Sequence, residues 1–374
     1  MTATAPLTIC HLLQIYELGG AEQVAFDLAR AQKRAGHRVL VAATEGTGPR
    51  GAHFEAEGIP AAVIKKGRGL DPTLIARLAL HFRRHRVSIV HTHTQQPLIF
   101  GAPAARLAGA EVVHTMHGAE PGADRRRLLR SAAARLLKAF VVVSSSLQRE
   151  VERGREAPAG RLRLIENGID LARFEGARAH RDAVRDELGI PPGAWVIAHV
   201  ARLVPVKNQA LLLRAAAPLL DAGARLLLCG EGPEEGALRA LAGQLGVASR
   251  VLFLGGRTDV PRVLAAADVF ALSSDAEGLP LAPIEAMAMG LPVVATGVGG
   301  VPDLVVDGVS GWITPAGDVS ALRDRLTDLR ADPARAASMG EAGRAHALAR
   351  RSLDRMTEAY LALYTSPAPR GAAR

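Results

Sequence analysis

One alternation runs the length of this 374-residue chain and leaves few folds open: a short apolar run, a turn, then a stretch with helical spacing. Residues 7–15 are a continuous apolar run of strand length, as expected of a parallel strand covered on both faces. The run ends at Glu17-Leu18-Gly19-Gly20-Ala21-Glu22, after which Val24, Ala25, Leu28 and Ala29 recur at helical spacing up to Gly36. Residues 37–43, 61–64, 87–93, 111–118, 141–143 and 162–165 read as further strands, with helices over 72–86 and 95–107 among those between them. Strand-then-helix order of this kind predicts α/β architecture with a doubly wound parallel sheet. Asn167-Gly168-Ile169-Asp170 reads as a turn, and the alternation then restarts with a helix near 178–188. Strands follow at 195–200, 225–229, 251–254, 269–272 and 292–295, then helices over most of 318–347 and a last one near 352–364. The length fits two α/β domains, placed at 1–170 and 171–350. A segment at 351–365 and a polar, Pro/Gly-rich tail at 366–374, expected to be disordered, complete the chain.

Composition removes several classes of function. No apolar run approaches the ~20 residues of a membrane span, and the N-terminus lacks the basic region of a signal peptide. Cys10 and Cys229 sit in apolar runs far apart, so buried free thiols in a reducing, cytoplasmic setting are expected. The net charge of +9 is uneven: residues 1–170 hold 24 Lys and Arg against 15 Asp and Glu, and residues 171–374 hold 22 of each. The first half is therefore expected to meet an anionic partner. Residues 124–138, DRRRLLRSAAARLLK, interleave basic side chains with leucines at helical spacing. That pattern suits peripheral contact with an anionic membrane, and equally an ordinary amphipathic helix with a solvated face. No nucleic-acid-binding motif or aromatic–basic interleaving accompanies the charge, so nucleic acid is not expected as a partner.

The densest chemistry lies in Ser273-Ser274-Asp275-Ala276-Glu277-Gly278-Leu279-Pro280-Leu281-Ala282-Pro283-Ile284-Glu285-Ala286-Met287-Ala288-Met289-Gly290. Glu277 falls on a loop at a strand's carboxyl end, and Glu285 one turn into the following helix, whose first turn accommodates Pro283. Ligands bind at that edge of an open α/β sheet. Backbone amides at Gly278 and Leu279 flanked by two carboxylates suit a polyhydroxylated ligand. Upstream, Arg202 and Lys207 lie on the loop after the 195–200 strand, where a guanidinium fork and an ammonium suit a pyrophosphate. Gly19-Gly20, between a strand and a helix N-terminus, is a second place for a phosphate, although the G-x-G-x-x-G fingerprint is absent.

The E-x7-E of Glu277 and Glu285 within EGLPLAPIEAMAMGLPVVAT, with the xRLxxxKN of Arg202 and Lys207, closely resembles the donor-site signature of retaining GT-B glycosyltransferases of family 4 (glycosyl transferases group 1). The resemblance spans nearly the whole chain. It implies two facing Rossmann-like domains with a cleft, an N-terminal domain for the acceptor and a C-terminal one for a nucleotide sugar. It also implies that the 351–365 helix crosses back onto the first domain. Arg202 and Lys207 would neutralise the leaving diphosphate, Glu285 would hold ribose hydroxyls, and Glu277 with the amides of Gly278, Leu279, Pro280–Leu281 would hold the donor sugar. Gly19 and Gly20 would face the donor phosphates, and the loop of Gly256 and Arg257 the base. His117, before Gly118, would approach the transferred sugar. The activity implied is metal-independent transfer of a sugar, from a UDP-sugar by family frequency, to a glycan, lipid-linked or other hydroxyl acceptor in cell-envelope or exopolysaccharide synthesis. No cofactor is expected, the nucleotide sugar being a substrate. The protein is placed in the cytoplasm or at the inner face of the plasma membrane. Two alternatives stay open: a non-catalytic nucleotide-sugar-binding subunit, and a sugar-nucleotide epimerase on the same plan. His91, His93, His114 and His117 lie within 27 residues and could approach one another, but carboxylate or cysteine ligands at matching spacing are missing, so no metal is expected.

Overall fold

The computed structural model describes residues 5–69, 71–118 and 127–367. Residues 368–374 of the expected tail, and Asp124 to Arg126 of the basic segment, lie outside the described residues. The chain divides into two compact units, one made of residues up to Gly168 with the chain from Leu353 onward, the other Ile169–Ser352.

The first unit is built on seven strands: β1 Thr8–Ile15, β2 Arg38–Gly46, β3 Ala61–Val63, β4 Ile89–His93, β5 Glu111–Met116, β6 Ala139–Val142 and β7 Leu162–Leu164. All pairs are parallel, in the order β3-β2-β1-β4-β5-β6-β7. β1 is mostly apolar because helices cover both faces of its sheet, and Ile9, Cys10, Leu12 and Leu13 are at most 1% exposed, with His11 buried among them. The strand order reverses direction between β1 and β4, which puts His11 beside His91 in register. The helix Gly20–Arg34 follows β1 with Glu22 in its first turn and Lys33 and Arg34 in its last, matching the macrodipole at both ends. The helix Leu353–Thr365 packs against it and completes this unit, burying Tyr360 and Tyr364.

The second unit carries β8 Val196–Val200, β9 Arg225–Cys229, β10 Val251–Gly255, β11 Val269–Leu272, β12 Val293–Thr296 and β13 Gly311–Thr314. Its order, β10-β9-β8-β11-β12-β13, is again wholly parallel, with the reversal between β8 and β11. The core gathers Ile197, Leu212, Leu226, Leu228 and Val269 from the sheet and its covering helix, with Leu322 and Leu326 from the helix Val319–Ala331. β13 is not among the expected strands: it is only four residues long and opens with Gly311, and its pairing to β12 makes it a strand. The helix expected from 178 is shorter, Arg181–Glu187 after a 3-10 turn at Ala177–His180, because Gly176 in the left-handed region (φ 69°) resets the chain just before it. Cys10 and Cys229 are buried free thiols.

Candidate donor and acceptor sites

In the second unit the reversal of strand order leaves a crevice beyond the carboxyl ends of β8 and β11, and both diagnostic loops emerge there. The loop after β8 carries Arg202 and Lys207, and that after β11 carries Ser273 to Glu277. Lys207 Nζ lies 2.6 Å from Glu277 Oε1, and Ser274 Oγ donates to the same oxygen at 2.6 Å. The Glu277 side chain is 6% exposed and that of Lys207 20%, so the pair is partly desolvated yet open on the ammonium side.

Backbone stitching makes this meeting reproducible. The amide of Asp275 donates to the Val206 carbonyl at 2.9 Å, Asn208 Nδ2 donates to Asp275 Oδ1 at 2.9 Å, and Ser273 Oγ donates to the Lys207 carbonyl at 3.0 Å. Asn208 also caps the helix Gln209–Asp221, its Oδ1 accepting from the Leu211 amide at 3.2 Å from a left-handed backbone (φ 46°) that Asn tolerates better than most residues. Gln209 donates to the Arg202 carbonyl at 2.8 Å, and His199 Nδ1 donates to the Ala271 carbonyl at 2.9 Å. From β12, Thr296 Oγ1 donates to the Ser274 carbonyl at 2.6 Å. Gly299 sits at φ 56°, where a Cβ would come 1.8 Å from the Glu277 carbonyl oxygen, and the amide of Gly300 donates to the Gly278 carbonyl at 2.8 Å. The loop after β12 thus clamps the backbone of the Glu277 loop.

Pro280 is the N-cap of the helix Leu281–Ala288, Pro283 lies in its first turn, and Glu285 is the fifth helical residue, 7% exposed. Gly278 and Leu279 are buried at the start of this element, and Pro280 and Leu281 are half-buried. Arg202 is exposed, and no hydrogen bond or ion pair joins its guanidinium to another side chain among the described residues, which leaves it available to an anion. Arg257 is different: it forms a two-point ion pair with Asp259 (2.8 and 2.6 Å) and lies 3.7 Å from Glu187, and its pKa is raised chiefly by the hydrogen bond to Asp259. Its side chain is committed to its own unit's surface, while the neighbouring Gly256 amide donates to Glu231 Oε1 at 3.0 Å.

In the first unit Gly19 and Gly20 occupy the turn between β1 and the helix Gly20–Arg34, with Gly19 as an extended N-cap. A Cβ at Gly20 would meet nothing within 4 Å, so sterics alone do not demand glycine there. His117 stands just past β5 and is half-buried. Its Nε2 lies 2.9 Å from His93 Nδ1, and His93 Nε2 lies 3.0 Å from His11 Nδ1. His114 points elsewhere, 3.0 Å from Thr92 Oγ1. Sequence reasoning singled out His91, His93, His114 and His117 but missed His11 and its partner Gln32. The available signal was a histidine inside an otherwise apolar strand. Ring nitrogens of His11, His91 and His93 lie within 4.8 Å of one another, a grouping able to hold a metal ion. All six nitrogens are already hydrogen-bonded, however, and desolvation lowers the pKa of each ring, to about 4 for His11. At the reversal between β1 and β4, Thr94 adopts φ 69° and ψ 170°, a region that β-branched residues avoid, and its buried Oγ1 has no hydrogen-bond partner among the described residues. No helix among the described residues is long and apolar enough to cross a membrane.

Residues 18–173 match the family model described as Glycosyltransferase Family 4, and residues 180–346 that described as Glycosyl transferases group 1. A GDP-mannose-dependent alpha-(1-6)-phosphatidylinositol monomannoside mannosyltransferase of Mycolicibacterium smegmatis is 35% identical over 292 residues, 74% of this chain and 76% of the relative. A UDP-Gal:alpha-D-GlcNAc-diphosphoundecaprenol alpha-1,3-galactosyltransferase of Escherichia coli is 28% identical over 263 residues, 67% of this chain and 68% of the relative. Among solved structures, Anabaena Alr3699/HepE in complex with UDP-glucose superposes with a TM-score of 0.87 at 27% identity, covering 95% of this chain and 98% of that one.

Proposed function

This chain belongs to the family 4 (group 1) glycosyltransferases and has the GT-B fold, and from that premise we propose that it transfers a hexose from a nucleotide sugar to a hydroxyl of a lipid-linked acceptor. The observation that carries the reading is the Lys207–Glu277 pair at the β8/β11 reversal, with Arg202 exposed on the same loop. Two cations at a sheet edge suit a diphosphate leaving group, and in a partly desolvated crevice their electrostatic effect exceeds that in water. Glu277, held by Lys207 and Ser274, keeps an acceptor oriented for donor-sugar hydroxyls, and Glu285 serves the ribose.

Charge neutralisation by Lys207 and Arg202 makes a divalent metal dispensable in this scheme. Retention of anomeric configuration follows from front-face substitution: the sugar–phosphate bond breaks, the acceptor oxygen bonds to the same face, and the departing phosphate takes the hydroxyl proton. The donor proposed is GDP-mannose, since the mannosyltransferase relative carries that name at 35% identity. UDP-glucose, bound by the Anabaena protein, is the second choice. A lipid acceptor is supported by a cavity of about 430 Å³ in the first unit, lined by Ile75, Ile99, Phe100, Leu129 and Leu136, able to take part of an acyl chain. Leu128, 86% exposed and next in sequence to the lining Leu129, and the basic excess of residues 1–170 fit an anionic glycolipid at a membrane face.

The test is nucleotide release from GDP-, UDP- and ADP-sugars, with and without EDTA and a phosphatidylinositol glycolipid, for wild type, Lys207→Ala and Glu285→Ala. Release from one donor that survives EDTA, rises with the glycolipid and is lost in both variants supports the reading. Failure to bind any nucleotide sugar, checked by thermal shift, overturns it. Binding without release under any acceptor condition favours a non-catalytic subunit.

A further inference from the structure

Eight side chains of the first unit form one hydrogen-bonded relay from His117 inward. His117 Nε2 lies 2.9 Å from His93 Nδ1, His93 Nε2 lies 3.0 Å from His11 Nδ1, and His11 Nε2 lies 2.9 Å from Gln32 Oε1. Beyond it, Gln32 Nε2 donates to the Tyr364 hydroxyl at 3.3 Å, and that hydroxyl lies 2.6 Å from His91 Nδ1. His91 Nε2 lies 2.7 Å from Thr115 Oγ1, which lies 2.9 Å from the Tyr360 hydroxyl. The participants come from β1, β4, β5, the helix Gly20–Arg34 and the helix Leu353–Thr365, with His117 in the loop after β5.

A neutral imidazole has one donor and one acceptor nitrogen, so the direction of any link in such a chain dictates the next. Burial keeps His11, His91 and His93 neutral, and neighbouring rings lower His91 and His93 further. Gln32 breaks the symmetry, because its oxygen can only accept and its nitrogen can only donate. Its oxygen faces His11, so His11 carries its proton on Nε2 and presents a lone pair at Nδ1. His93 then donates from Nε2 and accepts at Nδ1, and His117 donates from Nε2. On the other arm Gln32 occupies Tyr364 as an acceptor, Tyr364 gives its proton to His91 Nδ1, and His91 donates to Thr115. Every link agrees on one direction.

We propose that Gln32, His11 and His93 are positioning residues that hold His117 in its Nε2–H tautomer, so that the nitrogen left outside the relay, Nδ1, acts as an acceptor for a substrate hydroxyl. That the hydroxyl belongs to a sugar or an acceptor rests on the transferase reading; the tautomer does not. A metal ion on His11, His91 and His93 would break this order, since coordination by any of them displaces a relay hydrogen bond.

The experiment uses the full chain labelled with 15N in its histidine rings, purified through EDTA, and long-range proton–nitrogen correlation spectra, with His117 assigned from His117→Gln. The expected wild-type pattern is a single Nε2–H tautomer at His11, His93 and His117. Gln32→Leu is expected to convert His117 to a tautomer mixture and to lower kcat for nucleotide release about 10- to 100-fold, with donor KM within about twofold. Thr115→Val, which cuts only the far arm, leaves the His117 pattern unchanged. An Nδ1–H tautomer at His117 in the wild type overturns the proposal, as does a His117 pattern indifferent to Gln32→Leu in folded protein. Stoichiometric zinc binding that abolishes the Nε2–H signals overturns it in favour of a metal site. Because the spectra need no turnover, an absence of nucleotide release with the expected tautomers sinks the transferase reading alone.

Discussion

Lys207 and Glu277 are 70 positions apart in the chain and 2.6 Å apart in the fold, and that contact carries both stability and the proposed chemistry. Removing the cation leaves a 6%-exposed carboxylate with Ser274 but no countercharge. Lys207→Met is therefore expected to cost about 3 kcal/mol in urea unfolding and about 100- to 1,000-fold in nucleotide release. The double variant Lys207→Met/Glu277→Gln should recover most of the stability and none of the activity. Recovery of both would mean that neither side chain meets the donor. Thr94 makes the opposite case, a residue whose local conformation is unfavourable. Thr94→Gly relieves the backbone strain and deletes the buried hydroxyl that has no partner among the described residues, and is expected to stabilise by about 1 kcal/mol after the entropy cost of glycine. An unchanged or lower urea midpoint would show that the surroundings favour the threonine conformation.

At the scale of elements, the proposed donor crevice is a set of loops after parallel strands, each held by its neighbour. The loop after β12 reaches the one after β11 through Gly299, where a Cβ would overlap the Glu277 carbonyl and φ 56° adds strain for any side chain. Gly299→Ala is expected to displace Glu277, raising donor KM and lowering kcat while the sheet's far-ultraviolet circular dichroism persists. A variant with wild-type donor kinetics would show that the clamp does not set the Glu277 position. The last helix, Leu353–Thr365, does comparable work in the first unit by delivering Tyr360 and Tyr364 to the buried histidines.

For the molecule as a whole, acid should act first on the first unit. His11, His91, His93 and His114 have pKa values lowered chiefly by burial, to about 4 for His11 and about 3 for His114. The unfolded chain takes up protons near pH 6.5 and the folded one resists them, so this contribution is complete above ~6.5 and is lost as pH falls towards ~4. Each such histidine removes about 1.4 kcal/mol per pH unit in that window. The second unit holds only His199 of this kind among its described residues with resolved shifts, and should outlast the first. Proteolysis at graded pH, with the fragments identified by mass, checks this, and cleavage beginning in Ile169–Ser352 would contradict it.

Fold class was open to sequence reading because the information is local: an apolar run long enough for one strand, then helical spacing, repeated. The candidate donor motif was equally legible in its placement, since Arg202, Lys207 and Glu277 stand on βα loops whose place follows from the strand before each, and Glu285 lies in the helix that follows one of them. His11 and Gln32 were not legible. A histidine within an apolar run looks the same whether it meets a partner or tolerates burial, and its neighbours here are set by register across the β1–β4 reversal and by a helix over three hundred residues further on. The loop of Gly256 and Arg257 reads as a source of backbone groups for a base; that the Arg257 side chain pairs with Asp259 and Glu187 is a competition between nearby charges that spacing does not rank. The sequence by itself determined which segments become strands and helices and which loops carry charge, because hydrophobic periodicity and turn chemistry act over a few residues. Only the tertiary structure decided which polar groups meet, because hydrogen bonds among buried side chains depend on strand order and register, which no short window contains.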